Sequence, residues 1–210
     1  VYDLSHPMHD AMPVYPGKGQ PGFSQATFLE SDGYREMRMV FDGHTGTHID
    51  APAHMLKEGK TLAQYPVSRF SGKGVVISVP PGTVHIGLSF LKAREREIAG
   101  AGYLLLRSGW SRFWEEERYM EGFPVLTEEA AQWLTTMRLK GIGLDAISVD
   151  PVESDTWPVH HLIFGADMVI VENLVFPPEL REEQVFFCGL PLPVRGADGS
   201  PVRALALITG

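Results

Sequence analysis

The chain has 210 residues, of which 44% are hydrophobic and 21% are charged. This composition is close to that of an average globular protein and excludes a disordered chain. Lysine and arginine total 18 and aspartate and glutamate total 26, so the formal net charge is −8. A chain this acidic does not attract phosphate groups, and we expect neither nucleic acid nor a membrane surface as its partner. The length predicts a single domain covering residues 1–210.

The only cysteine of the sequence is Cys188, which excludes an intramolecular disulfide. No apolar run approaches the ~20 residues that a membrane-spanning helix needs. The sequence shows no signal peptide before the first predicted strand. We therefore expect a cytoplasmic protein.

In the first half of the chain, the hydrophobic pattern predicts strands more often than helices. Met37, Met39 and Phe41 alternate with charged residues, which is typical of a half-buried strand. A helix rich in charged residues is predicted at 88–98, ending before Gly100. The predicted strands of this half are residues 1–4, 36–41, 74–79 and 103–107.

In the second half, helices and strands alternate. Thr127 is a predicted N-cap, and apolar residues then recur at helical spacing up to Gly141. A short helix is predicted at 158–164. The predicted strands are residues 142–149, 168–171, 185–188 and 202–208. Because helices are missing between the early strands and between the last two, the pattern predicts an α/β fold with mixed sheets.

Metal-binding side chains are concentrated in the segment from His44 to His54, which reads HTGTHIDAPAH. In an extended chain, residues two apart point to the same side, so His44, His48 and Asp50 would project together. A helix would also bring His44 and His48 onto one face. The glycine, the two threonines and the proline of this segment disfavour a helix, and we predict extended or irregular backbone.

Imidazole and carboxylate groups are good ligands for zinc and also bind manganese. Three protein ligands with one open position are typical of a catalytic zinc, whereas structural sites are closed and usually contain cysteines. A metal in this segment would lower the pKa of bound water to ~7 and polarise a carbonyl oxygen. His54, which follows the proline, is placed to transfer protons in that reaction.

A second group of candidate residues is formed by His160 and Glu172. Glu172 ends a hydrophobic strand, where a carboxylate is costly unless it is paired or coordinated. Taken alone, an interior ion pair explains this residue. Taken together with the first cluster, Glu172 becomes a candidate metal ligand.

The segment 44–54 resembles the HxGTHxDxPxH signature of the cyclase family of metal-dependent hydrolases. That family includes the bacterial kynurenine formamidases, or arylformamidases, and the isatin hydrolases. The resemblance extends along most of the chain. Further segments that carry it are DLS at 3–5, PVYPG at 13–17, LLRSGW at 105–110, GLDAISVDP at 143–151, HHLIFGADMVIVENL at 160–174, LPL at 190–192 and DGSPVRA at 198–204.

The resemblance implies a swivelling β/β/α fold with a metal centre of one or two ions, zinc or manganese. By this likeness His44, His48 and Asp50 hold the first ion, and Asp50, His160 and Glu172 hold the second. His54 is then the catalytic acid and base, and His161 faces solvent or supports the ligands. The formamidases of the family carry a substrate-stacking tryptophan where this chain has Tyr15, which makes Tyr15 a candidate substrate-binding residue.

The function that these expectations favour is hydrolysis of a small aromatic formamide, with N-formylkynurenine giving kynurenine and formate. The alternatives are hydrolysis of a cyclic amide or lactone, as in the isatin hydrolases, and a metal-binding protein without catalysis. Tyr15 and the following Lys18 are the sequence features that bear on the substrate. The resemblance also implies a homodimer or a larger homo-oligomer.

Overall fold

The computed structural model describes residues 1–208, and its main feature is a nine-stranded mixed sheet. The strands of the described residues are β1 (Tyr2–Asp3), β2 (Gly22–Thr27), β3 (Glu36–Val40), β4 (His48–Asp50), β5 (Ser71–Ser78), β6 (His85–Ile86), β7 (Tyr103–Arg107), β8 (Val125–Leu126), β9 (Gly141–Leu144), β10 (Val169–Glu172), β11 (Gln184–Gly189), β12 (Gly199–Pro201) and β13 (Ala204–Leu207). The nine strands of the sheet follow the order β1-β13-β11-β5-β7-β9-β10-β4-β12.

Four parallel strands, β5, β7, β9 and β10, form the centre of this sheet. Antiparallel strands extend it on both sides. The central strands are buried on both faces, so alternate residues enter two different hydrophobic clusters: Leu104 joins one and Leu105 the other. The predicted α/β fold with mixed strand directions is confirmed.

The α-helices of the described residues are short, and all but the first of them bury side chains against one face of the sheet. Their bounds are α1 (Leu29–Asp32), α2 (Leu88–Lys92), α3 (Glu95–Ile98), α4 (Glu128–Leu134) and α5 (Pro158–Gly165). Leu134 of α4 and Phe164 of α5 are buried in the same cluster as Leu104. Thr127 caps α4 as predicted, because its side chain accepts a hydrogen bond from the backbone of Ala130. None of these helices has both the length and the apolar character needed to cross a membrane.

The predicted helix at 88–98 is wrong as a continuous element. It is divided into α2 and α3 because the backbone of Arg94, with φ −107° and ψ 11°, leaves the helical region. The strand predicted at 142–149 is also too long. It ends at Leu144, and Asp145 then accepts hydrogen bonds from the backbone of Ser108 and Gly109 instead of continuing the strand.

Strands β2 and β3 form a separate two-stranded ribbon, which we call the β2–β3 ribbon. The predicted strand at 36–41 is therefore present, but the expectation that it is half-buried is wrong. Every residue of β3 is exposed, including Met37 and Met39 at 50% and 59%. In the described part of this chain, no other element covers the apolar side chains of β3.

Candidate metal centre

Pairing between β4 and β10 brings three of the predicted ligands onto one face. Glu172 lies directly opposite His48 in this antiparallel pair, and Asp50 is two residues further along β4. Side chains in these positions project to the same side of the sheet. Nε2 of His48 lies 3.2 Å from Oδ1 of Asp50 and 3.4 Å from Oε2 of Glu172.

His44 reaches the same carboxylate from the loop that precedes β4. The loop turns at Gly46, which has a φ of 67°, and the backbone is irregular until His48, as the sequence predicts. Nδ1 of His44 lies 2.6 Å from Oδ1 of Asp50. His44, His48 and Asp50 together offer ligand atoms that all lie within 4.8 Å of one another.

His160 is contributed by the first turns of α5. Asp150 accepts hydrogen bonds from the backbone N–H groups of Val159 and His160, and it also lies 2.7 Å from Nδ1 of His160. This contact leaves Nε2 of His160 facing Glu172, 3.4 Å from Oε1. Asp50, His160 and Glu172 form a second group with ligand atoms within 4.8 Å, and Asp50 is common to both groups.

The two groups bury several ionisable side chains at one place. Burial alone would lower the pKa of His160, but its contacts with Asp150 and Glu172 raise that pKa to about 9. For His48 the opposing effects are likewise burial, which lowers the pKa, and Asp50, which raises it well above the usual value. The carboxylates therefore stabilise positive charge on the imidazoles that surround them.

These residues fit a divalent cation on their own chemistry. Oε1 of Glu172 is buried and has no hydrogen-bond partner, since His160 at 3.4 Å is not aligned for one. A buried carboxylate oxygen without a partner is costly, and a cation would satisfy it. Nitrogen and oxygen ligands of this kind suit zinc or manganese.

His54 lies next to the ligand groups, in a 3₁₀ turn formed by Pro52–His54. Its ring centroid is 3.9 Å from that of His44, and burial lowers its pKa. Nδ1 of His54 lies 3.1 Å from Oδ2 of Asp198, and the same oxygen lies 2.9 Å from Nε2 of His44. His54, His44 and Asp198 also satisfy the spacing of a ligand triad, although all three are less buried than Asp50, His160 and Glu172.

A cavity of 730 Å³ opens above these side chains. This volume lies in the usual range of a small-molecule site. Tyr15 lines the cavity and donates a hydrogen bond from its hydroxyl to the carbonyl of Val152 at 3.2 Å. Lys18 and the exposed His161 line it as well.

Sequence reasoning did not single out four residues that the structure brings to this site: Asp150, Asp198, Asn173 and Trp157. Asn173 donates from Nδ2 to the carbonyl of Gly46, which also lies 2.8 Å from Nδ1 of His48. Asp150 and Asp198 belong to segments that carry the resemblance, but the chain spacing assigns them no role. Trp157 is the residue immediately before α5, and its side chain lines the cavity.

The family model described as "Putative cyclase" matches residues 2–151, which is more than half of the chain. The chain belongs to the cyclase family. Among curated relatives, the kynurenine formamidase of Sphingopyxis alaskensis is 34% identical, with 98% of this chain and 96% of the relative covered. The kynurenine formamidase of Bacillus cytotoxicus is 30% identical, with coverages of 97% and 95%.

Solved structures show the same fold for this cyclase-family chain. A potential metal-dependent hydrolase with cyclase activity superimposes with a TM-score of 0.82 at 28% identity, covering 98% of this chain and 96% of that one. An isatin hydrolase bound to thioisatinate superimposes with a TM-score of 0.90 at 22% identity, with coverages of 100% and 92%. The predicted family and fold class are confirmed.

Proposed function

We propose that this cyclase-family protein is a metal-dependent hydrolase that cleaves the C–N bond of a small aromatic formamide, with N-formylkynurenine giving kynurenine and formate. The observation that carries the proposal is the convergence of two ligand groups on Asp50, beside His54 and at the base of a cavity. The curated relatives named kynurenine formamidase, which this chain matches along nearly its full length, support the choice of substrate.

In this proposal His44, His48 and Asp50 hold one divalent cation, and Asp50, His160 and Glu172 hold a second. The cation is zinc, with manganese as the alternative, because the nitrogen and oxygen ligands suit both metals. When bound, it acts as a Lewis acid that activates water and polarises the formyl oxygen.

His54 performs the proton transfers. Its Nδ1 donates to Asp198, which leaves Nε2 with a free lone pair. Nε2 accepts a proton from the attacking water and then delivers it to the leaving nitrogen as the C–N bond breaks. The products are formate and a free aromatic amine. Asp198 keeps the ring in the tautomer that this sequence of transfers needs.

The cavity accepts the substrate, and Tyr15 contacts its aromatic ring in this proposal. The hydroxyl of Tyr15 is tied to the loop at Val152, so the ring is held at the cavity wall. Lys18 is a cation on the same wall, which suits a substrate with a carboxylate.

We also propose that the enzyme is cytoplasmic and a homodimer or larger homo-oligomer. A chain whose single cysteine excludes an internal disulfide is compatible with a reducing compartment. The exposed apolar face of the β2–β3 ribbon supports association between copies of the chain.

The test combines elemental analysis of the purified protein with a formylkynurenine hydrolysis assay on the wild type and on His54→Ala. We expect bound divalent metal in both proteins and a loss of about 10²-fold or more in kcat for the variant, because the proton-transfer group is removed. His85→Ala, on the exposed side of β6, is the matched control and should retain full activity.

Full activity of His54→Ala would contradict its role. A metal-loaded protein that hydrolyses lactams or lactones and no formamide would support the isatin hydrolase-like alternative. A protein inert toward all of these substrates would support metal binding without catalysis.

A further inference from the structure

Trp157 exposes a large aromatic surface at the cavity instead of burying it in the protein. The side chain lines the cavity, and the residue is 37% exposed. Among the described residues, Trp157 is absent from both hydrophobic clusters that form the core. The indole is therefore not part of the hydrophobic core.

The backbone of Trp157 adopts a conformation that a bulky residue rarely takes. Its φ of 41° and ψ of 54° lie in the left-handed region, and Pro158 follows directly. A bulky non-glycine residue is an outlier there, and strain of this kind concentrates at binding and catalytic sites.

The bonds that hold this backbone do not depend on the indole. Oγ of Ser154 accepts from the N–H of Trp157 at 3.0 Å, and the N–H of His161 donates to its carbonyl at 3.1 Å. Any side chain would allow both bonds, and one that tolerates the left-handed region would do so with less strain. The presence of tryptophan therefore needs another explanation.

The position of Trp157 connects it to both the metal centre and Tyr15. It is three residues before His160, at the start of the same helix, and both side chains line the cavity. The hydroxyl of Tyr15 bonds to Val152, in the loop that leads to Trp157. Both rings line one cavity.

We propose that Trp157 determines the preference for aromatic substrates, with its indole and the ring of Tyr15 forming the cavity walls against which the aryl group of an aryl amide packs. This inference rests on the proposed function and names the feature of the substrate that the cavity selects. The aryl ring offers a flat face to the indole, and a saturated ring of the same size does not.

The test measures equilibrium binding of two inert amides to the metal-loaded protein by calorimetry. Benzamide and cyclohexanecarboxamide have the same amide group and ring size and differ in aromaticity. We expect the wild type to prefer benzamide by about 2- to 10-fold, the range for one aromatic contact. Trp157→Phe should keep the preference, and Trp157→Asn should lose it.

Asparagine is chosen because it adopts the left-handed region readily, so the turn before α5 is preserved. Trp157→Leu repeats the test with an apolar side chain that lacks a π face. Metal content is measured for each variant, and any variant with full loading decides the question. Trp133→Phe, on α4 away from the cavity, is the matched control and should bind both amides like the wild type.

The proposal is overturned if a fully loaded Trp157→Asn or Trp157→Leu retains the preference for benzamide, or if the wild type has none. It is also overturned if both variants lose thermal stability and metal together, since Trp157 would then be a structural residue.

Formanilide hydrolysis by the wild type is assayed separately. A protein inert toward both formanilide and N-formylkynurenine that still prefers benzamide through Trp157 would contradict the proposed function and leave this inference standing.

Discussion

Asp150 determines which nitrogen of His160 faces the carboxylates of the metal centre. Its carboxylate accepts hydrogen bonds from two backbone N–H groups at the start of α5 and lies 2.7 Å from Nδ1 of His160. A carboxylate bonded to the far nitrogen of a ligand histidine fixes the ring orientation and raises its basicity. The side chain of Asp150 is itself 1% exposed, so water does not compete for these bonds.

Replacing Asp150 with asparagine is expected to weaken binding of the second ion by about 10- to 100-fold, because His160 loses its charged partner. A competition titration against a chelator measures this affinity. Asp155→Asn, an exposed carboxylate in the same segment, is the control. Unchanged affinity in Asp150→Asn would show that His160 is oriented by other contacts or is not a ligand.

Gly199 leaves the space that the ring of His44 occupies. A Cβ atom at this position would lie 2.5 Å from Cε1 and 2.6 Å from Nε2 of that ring, which is closer than atoms can approach. Gly199→Ala is therefore expected to displace His44 and to lower metal content and activity together by about tenfold or more, as loss of an anchored ligand does.

The matched control for this substitution is Gly165→Ala at the end of α5, where an added Cβ meets no atom within 4 Å. Metal content by elemental analysis and turnover are compared for both variants. A Gly199→Ala protein with wild-type metal content would mean that His44 shifts without cost or does not bind the ion.

The sequence predicts local ligand groups more readily than distant ones. His44, His48 and Asp50 lie within seven residues, so their spacing alone suggests a common site. The sequence also indicates His160 and Glu172 as a second candidate group, but only the family resemblance places them with Asp50 around one ion, because no local pattern links positions more than a hundred residues apart. Asp198 was not assigned a role, since its contacts with His44 and His54 arise only from the folded loop beside β12.

At the scale of elements, the β2–β3 ribbon shows where a pattern predicts a strand correctly and its environment wrongly. Met37 and Met39 lie on one face, opposite Gln25 and Phe23 of β2. Alternating apolar and polar residues indicate that one face of a strand is apolar, but they do not indicate whether other parts of the same chain cover that face. Strand β12 was missed for the opposite reason, since Gly199–Pro201 has no hydrophobic alternation and is a strand only through pairing with β4.

The double substitution Met37→Lys and Met39→Lys is expected to convert the proposed oligomer to monomers, because two charges would be buried at the interface. Sedimentation velocity at several protein concentrations measures the change. Gln132→Lys with Thr136→Lys adds two lysines on exposed positions near α4 and should leave the assembly unchanged. A double methionine variant that sediments like the wild type would exclude the ribbon as the interface.

At the scale of the whole molecule, the metal centre joins parts of the chain that are distant in sequence. His48 and Asp50 come from an added strand near one edge of the sheet, Glu172 from a central strand, and His160 from a covering helix. An ion that binds only this folded arrangement stabilises it against unfolding by mass action.

Removing the metal with a chelator is expected to lower the free energy of unfolding by about 3 kcal/mol when the free ion had been at roughly 100 times its dissociation constant. Thermal unfolding followed by circular dichroism should shift down by about 5–10 °C. His54→Ala should show the same shift, because this residue is not a proposed ligand. An unchanged midpoint after verified removal of the ion would contradict coordination by the folded site.

The strand order also constrains when the protein can fold during synthesis. Within residues 1–208, strand β1 pairs with β13 alone, and β4 pairs with β10 and β12, all of which leave the ribosome much later. Strands β1 and β4 must wait for these later strands before they can join the nine-stranded sheet, and such non-local pairing is slow. The nascent polypeptide therefore carries its histidine-rich stretch unpaired until β10 and β12 have been synthesised.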